Sequence, residues 1–152
     1  MQAHEIMNSQ VYKVKENDKV RSVIEKFLAH GISGLPIVND RNEIVGYVSD
    51  GDIMRYIGKH KDYVIDWFYY LAVVKGDNQE FEERAKQLLN LNVMTIAKKK
   101  KIETAQWDDE VETIAATLGN KQIKKVPVVR NGVLVGIISR GNVIRHAFKS
   151  LL

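Results

Sequence analysis

Apolar and polar residues alternate over positions 11–14, the period of a half-buried strand. Asn17 then offers an N-cap to a helix whose apolar positions, Val20, Val23, Ile24, Phe27 and Leu28, recur at helical spacing, with Lys19, Arg21, Glu25 and Lys26 on the other side. Gly31 stands where such a helix closes. Leu35-Pro36-Ile37-Val38 reads as a strand that, beginning with a proline, lies at a sheet edge or enters the sheet there, and a polar turn at 39–43 joins it to a further strand at 44–48. A helix follows Ser49, turns Ile53, Met54 and Ile57 inward and ends by Gly58. The predicted order is strand, helix, strand, strand, helix.

That order returns. A short strand is expected at 102–105, Asp108 offers an N-cap, and Val111, Ile114, Ala115 and Leu118 form the stripe of a helix that stops at Gly119-Asn120. Val126-Pro127-Val128-Val129, the hairpin pair Asn131-Gly132, a strand at 133–138, a junction at Ser139 and a last helix through Leu152 complete it. At an offset of about 90 residues the halves align position by position: Val20 with Val111, Ile32 with Ile123, Pro36 with Pro127, Gly46 with Gly136, Ser49 with Ser139, Arg55 with Arg145. Two helices that each need a sheet to cover and two sheets too thin to stand alone imply that the two β-α-β-β-α repeats pack on one another about a pseudo-two-fold axis, with two symmetry-related clefts. The expected organisation is one module over 1–152, with repeat one at about 7–58, a helical insertion at about 59–92 and repeat two at about 93–152.

In the insertion, Val64, Trp67, Phe68, Leu71 and Val74 recur at helical spacing, and Phe81, Ala85, Leu88 and Leu89 do so again, predicting two helices broken near Gly76-Asp77-Asn78. The stretch reads either as a lid or dimer contact, since aromatics concentrate at interfaces, or as an added core layer.

Composition narrows the chemistry. The chain has 152 residues and no cysteine, which excludes disulfides, thiolate metal sites and thiol nucleophiles and suits a reducing compartment, with the cytoplasm as the default. Its first ten residues lack the basic start and apolar core of a signal peptide, and the longest apolar run is too short to span a bilayer. The net charge of +4 owes much to Lys98-Lys99-Lys100-Lys101, which reads as a solvated loop; no motif for nucleic-acid binding accompanies it. His4, His30, His60 and His146 have no ligand or triad spacing, and no nucleophile motif is present, so no catalytic residue and no metal site is expected.

The candidate chemistry lies in a doubled junction, Gly46-Tyr47-Val48-Ser49-Asp50-Gly51-Asp52-Ile53 and Gly136-Ile137-Ile138-Ser139-Arg140-Gly141-Asn142-Val143. A strand that runs into a helix start presents unpaired amides and the positive end of a dipole to an anion. Asp52 can also accept from two neighbouring hydroxyls, as a ribose offers them. The same spacing is that of a capping box, with Ser49 as N-cap and Asp52 reaching back. Charge separates the copies. The second has Arg140, Lys124 and Lys125 where the first has Asp50, Ser33 and Gly34, so a phosphate is expected to prefer the second cleft, and a nucleoside, a sulfonium ligand or a metal–nucleotide complex the first.

Gly31-Ile32-Ser33-Gly34-Leu35-Pro36-Ile37-Val38 followed by Val45-Gly46-Tyr47-Val48-Ser49-Asp50-Gly51-Asp52-Ile53, repeated and with Val93-Met94-Thr95 opening the second copy, resembles the cystathionine beta-synthase (CBS) domain. Two such domains form a CBS pair, or Bateman module. The resemblance implies an α+β fold, clefts between the repeats that often bind adenosine-containing ligands (AMP, ADP, ATP or S-adenosylmethionine), a regulatory and non-catalytic role exerted on an effector protein, and a homodimer. Residue by residue it implies that Asp52 binds ribose with Ser49 beside it, and that Ser139 and Asn142 take those places in the second copy, where the amide departs from the family's carboxylate. It places adenine against Ile32, Leu35 and Pro36, or Ile123, Val126 and Pro127, with Thr95 at the second pocket's rim. The alternative is a dimerisation or interaction module with no small ligand.

Overall fold

The computed structural model describes residues 1–59, 63–67, 70–74, 80–121 and 123–152. After a short helix α1 (Ala3–Ile6), repeat one runs β1 (Val14–Lys15), α2 (Val20–His30), β2 (Gly34–Val38), β3 (Ile44–Ser49) and α3 (Asp50–Ile57). A hairpin of β4 (Tyr63–Trp67) and β5 (Tyr70–Val74) and then α4 (Phe81–Leu89) follow. Repeat two is β6 (Ala105–Gln106), α5 (Val111–Asn120), β7 (Lys125–Arg130), β8 (Val133–Ser139) and α6 (Arg140–Phe148).

Each repeat makes a three-stranded sheet, β1-β2-β3 and β6-β7-β8, with the first pair parallel and the second antiparallel. The proline strands are therefore central, not at the edge. The reason is that β1 and β6 are only two residues long: β1 pairs with Ile37 and Val38, and β6 with Val128 and Val129, so neither reaches Pro36 or Pro127. At the proline itself the strand has one neighbour, as a residue without an N–H requires. The turns follow the sequence closely. Gly31 ends α2 in the left-handed conformation at φ 62°, and Asn131 and Gly132, at φ 52° and 80°, turn β7 into β8.

Three expectations are corrected. Leu28, assigned to the inward stripe of α2, is 82% exposed, because the buried face of that helix runs through Val20 and Val23. The helices of the two repeats begin after Lys19 and Glu110, not at Asn17 and Asp108. Residues 63–67 and 70–74 pair as antiparallel strands, not as a helix; two five-residue runs rich in Tyr, Val and Ile satisfy strand preference better than the helical period that the same residues mimic. The expected break near Gly76 and the aromatics Phe68 and Tyr69 lie outside the described residues. The second insertion helix is present as α4. It adds a core layer to repeat one: Leu88 is buried with Val20 and Ile53, and the Arg84 Nε donates to the Ile57 carbonyl at 3.0 Å.

The repeats exchange their leading segments. Ala3, fully buried, belongs to the core of repeat two with Ile114, Leu118, Val126, Val128 and Ile138, while Val93 completes the core of repeat one with Val14, Val23, Leu35, Ile37 and Val48. Backbone bonds follow the same exchange: Asn8 and Ile137 bond reciprocally at 2.9 Å, and Lys98 and Tyr47 do so at 2.9 Å, equivalent pairs under the repeat. His4 lies against Trp107 with ring centroids 4.8 Å apart, and Arg130 covers the same indole at 3.9 Å. The pseudo-two-fold is thus held by each half supplying part of the other's core.

Candidate functional site

Alternation along β3 puts Tyr47 and Ser49 on one face and the buried Gly46 and Val48 on the other. The strand then enters α3 through the expected capping box. Asp52, only 8% exposed, accepts from the Ser49 amide at 2.9 Å and the Ser49 hydroxyl at 3.3 Å through Oδ2, and its Oδ1 pairs with Arg55. In repeat two Asn142 does the same work: its Oδ1 accepts from the Ser139 amide at 2.8 Å and hydroxyl at 2.9 Å. Both oxygens of Asp52 are thus engaged within repeat one, Oδ2 by the cap and Oδ1 by Arg55.

Two adjoining cavities open on this face and share Tyr47, Ser49 and Lys98. One, of about 410 Å³, is lined by those three with Asp52, Arg55, Ile96 and Ala97. The other, of about 280 Å³, lies between the repeats; repeat one contributes Ser33, Gly34 and Asp50, and repeat two contributes Ile123, Lys124, Lys125 and Pro127. Lys98 reaches both because its amide and carbonyl are tied to Tyr47. Gly34 gives the Tyr47 side chain room: a Cβ at that position would sit 2.7 Å from the Tyr47 hydroxyl, so the phenol would have to shift.

The structure brings Ser49, Asp50, Ile123, Lys124 and Pro127 to the cavity between the repeats, and Ser49 and Asp52 to its neighbour. Asn142 lines a separate cavity of about 620 Å³ with Ile6, Arg145, His146, Lys149 and Ser150. Leu35 and Val126 are fully buried core residues, Pro36 is buried, and Ile32 packs against the core of repeat one, so these form the wall behind the site and not its surface. Thr95 is exposed on a single helical turn. Ser139 is engaged in its cap.

Two placements bear on the expected preference of phosphate for the second cleft. Lys124 and Lys125 face Ser49 and Asp50 of repeat one, because the strands that carry them lie across the pseudo-two-fold. Arg140 is turned away: its Nε donates to the Ile123 carbonyl and its Nη2 to the Leu118 carbonyl, both at 2.9 Å, tying the end of α5 to α6. Arg140→Ala is expected to lower stability by about 1 kcal/mol, the usual contribution of such bonds. In nucleotide titrations the affinity of this variant should match the parent's; a loss of affinity would return Arg140 to the site.

Reading the residues alone does not bring Tyr47, Arg55, Ile96, Ala97, Lys98 or Glu103 into the site. The signal for Tyr47 was its place two residues before Ser49 on the same strand face. Burial, and then the nearby Asp50 carboxylate, push the Tyr47 phenol from its ordinary 10.0 up to about 12. A raised value means that the folded state holds this proton more firmly than the unfolded chain. Stability tied to the neutral phenol is present in full below pH 10 and is lost as the pH rises toward 12. Urea midpoints measured over that window should fall less steeply for Tyr47→Phe than for the parent; equal slopes would contradict the assignment.

The family model described as CBS domain matches residues 3–59 and 93–149. The uncharacterized protein MJ1426 of Methanocaldococcus jannaschii is 29% identical over 148 residues, covering 92% of this chain and 87% of that one. Other relatives are longer, and the chain spans 41% and 23% of two of them. Among solved structures, CBSX2 in complex with AMP superposes with a TM-score of 0.74 at 21% identity, over 100% of this chain and 99% of the other. The CBS domain pair of protein MJ0100, in complex with 5'-methylthioadenosine and S-adenosyl-L-methionine, gives 0.67 at 18% identity, over 100% and 98%. At these identities the likeness shows the fold.

Proposed function

The chain belongs to the CBS domain family and carries the domain twice, and from that premise we propose that it is a regulatory module that binds an adenosine-containing ligand in the cleft of repeat one. The observation that carries this reading is Asp52: a nearly buried carboxylate at a helix start, lining a cavity large enough for a nucleoside. The ribose hydroxyls donate to Asp52, and the base lies against the Tyr47 ring, Ile96 and Ala97. AMP in CBSX2 and S-adenosyl-L-methionine in the MJ0100 pair support this class of ligand.

The residues that close the site come from both repeats, so a ligand there favours one relative arrangement of the halves. The output is a change in what the module contacts, an effector protein, with no chemistry performed on the ligand. Ile144, Phe148 and Leu151, exposed on α6 and the turn after it, together with Met54 on α3, give it an apolar surface suited to a second copy of the chain. No helix among the described residues is long and apolar enough to cross a membrane, and no cluster of His, Cys, Asp and Glu among them suits a metal.

The test is thermal unfolding of nucleotide-stripped protein with adenosine, AMP, ADP, ATP and S-adenosylmethionine. A ligand at about 100 times its dissociation constant adds roughly 2.7 kcal/mol, an easily read rise in melting temperature. Indifference to all five would favour an interaction module that works through the apolar helix faces alone.

A further inference from the structure

Read along the chain, Lys98-Lys99-Lys100-Lys101 is a solvated loop; the fold gathers further cations beside it. Lys98 is fastened to Tyr47 through its amide and carbonyl at 2.9 Å, and Ile102 and Glu103 return to the cavity that Lys98 lines. Lys99, Lys100 and Lys101 stand exposed at its mouth. The end of α5 adds Lys121, 3.8 Å from Glu103, and the chain entering β7 adds the exposed Lys124 and the half-buried Lys125. Two separate segments thus bring seven lysines to one face, where Asp50 and Glu103 are the carboxylates that line the cavity. The whole chain has a net charge of +4, so this band holds its entire positive excess and the remainder is close to neutral. Apart from Lys121, none of these ammonium groups has an ion-pair or hydrogen-bond partner among the described residues. Repulsion among unpaired like charges opposes folding, so the band stabilises nothing until an anion meets it.

What the band lacks tells which anion suits it. It is made of lysines without a free arginine fork, since the Arg140 guanidinium is taken by two carbonyls. Nor does it offer a ring on which a base could stack: Tyr47 is half-buried in the cavity, and Trp107 is covered by His4 and Arg130. Compact ammonium charges on exposed loops suit carboxylates set along a polypeptide. We propose that this outer band is where the module docks on its effector, through a segment rich in Asp and Glu. The proposal deepens the regulatory reading, in which the output is a contact with another protein, and rests on it. Lys98 is bonded to Tyr47 of repeat one, whereas Lys121 and Lys124 ride on repeat two, so a shift between the halves changes the spacing of the charges that the partner meets.

The experiment is fluorescence anisotropy of labelled decaglutamate titrated with the nucleotide-stripped full chain, at low and at raised salt, beside an oligouridylate of the same length. Decaglutamate should bind at low salt and weaken as salt rises. Combining Lys99→Gln, Lys100→Gln and Lys101→Gln should weaken it about tenfold, the sum of three exposed ion pairs, and leave the urea midpoint equal or higher. A second variant combines Lys13→Gln, Lys19→Gln and Lys149→Gln, exposed lysines outside the band, and removes the same charge. It should bind as the parent does. Equal weakening of the two variants would reduce the effect to net charge and overturn the proposal, and so would a tighter grip on the oligouridylate than on decaglutamate. If decaglutamate does not bind while adenine nucleotides raise the melting temperature, the docking proposal falls and the adenosine reading stands. If it binds as expected and no nucleotide stabilises the protein, the docking face stands and the adenosine reading falls.

Discussion

Asp52→Ala is expected to lower affinity for the proposed adenine nucleotide roughly a hundredfold and to remove about 1 kcal/mol of stability, while Asp52→Asn should keep the stability and lose about tenfold in affinity. The split follows from the two repeats. Asn142 already caps α6 through its amide oxygen with the same two bonds from Ser139 that Asp52 receives from Ser49. An asparagine at position 52 can therefore hold the cap. It cannot reproduce the charge, and hydrogen bonds to a charged acceptor contribute about 1.5 to 3 kcal/mol against roughly 1 for neutral ones. Denaturant titration and calorimetry on the two variants separate the roles. Equal affinity of Asp52→Asn and the parent would make Asp52 a cap and nothing more.

The second large effect lies far from the site. Ala3→Asp should destabilise the protein by about 3 kcal/mol, because it puts an unpaired carboxylate at a fully buried position in the core of repeat two. The third residue of a chain with a polar start would otherwise be expected to tolerate an aspartate. Here the segment is fastened by the Ala3 amide to the Asp109 carbonyl at 2.8 Å, by His4 to Trp107 at 2.9 Å and by the Asn8–Ile137 pair. A lowered urea midpoint with an unchanged slope is the expected result. A stability within about 0.5 kcal/mol of the parent's, the range of ordinary surface substitutions, would mean that α1 is not part of that core.

The repeat was legible because its signals are local: glycines where the chain turns, a capping box at each strand-to-helix junction, helical stripes and the paired prolines. The two β-α-β-β-α units, Gly31 and the Asn131-Gly132 turn follow from those alone. The exchange of leading segments was not legible, since Ala3 and Val93 carry no periodic pattern, and whether they cover their own repeat or the other is decided by tertiary packing. The placement of the cationic side chains was hidden for the same reason. Lys124 precedes β7 and Lys125 opens it, and only the packing of the halves brings them to the cavity with Ser49. Arg140, which the sequence sets at a helix start, is drawn off by the carbonyls of Leu118 and Ile123. Lys98 looked like one of four loop lysines until its backbone pairing with Tyr47 fixed it beside the cavity. In residues 63–74, Val, Trp and Tyr satisfy a helical stripe and a strand at once, and pairing decided between them.

The central claim is that an adenosine ligand lies between Tyr47 and the segment that carries Ile96 and Lys98, and photolabelling tests it most directly. Irradiation with 8-azido-ATP, followed by peptide mapping, should place the label on the peptides that contain Tyr47 or residues 96–98, and unlabelled ATP should compete it away. Label confined to α6 around Arg145 and His146, or label that ATP does not displace, would contradict the account.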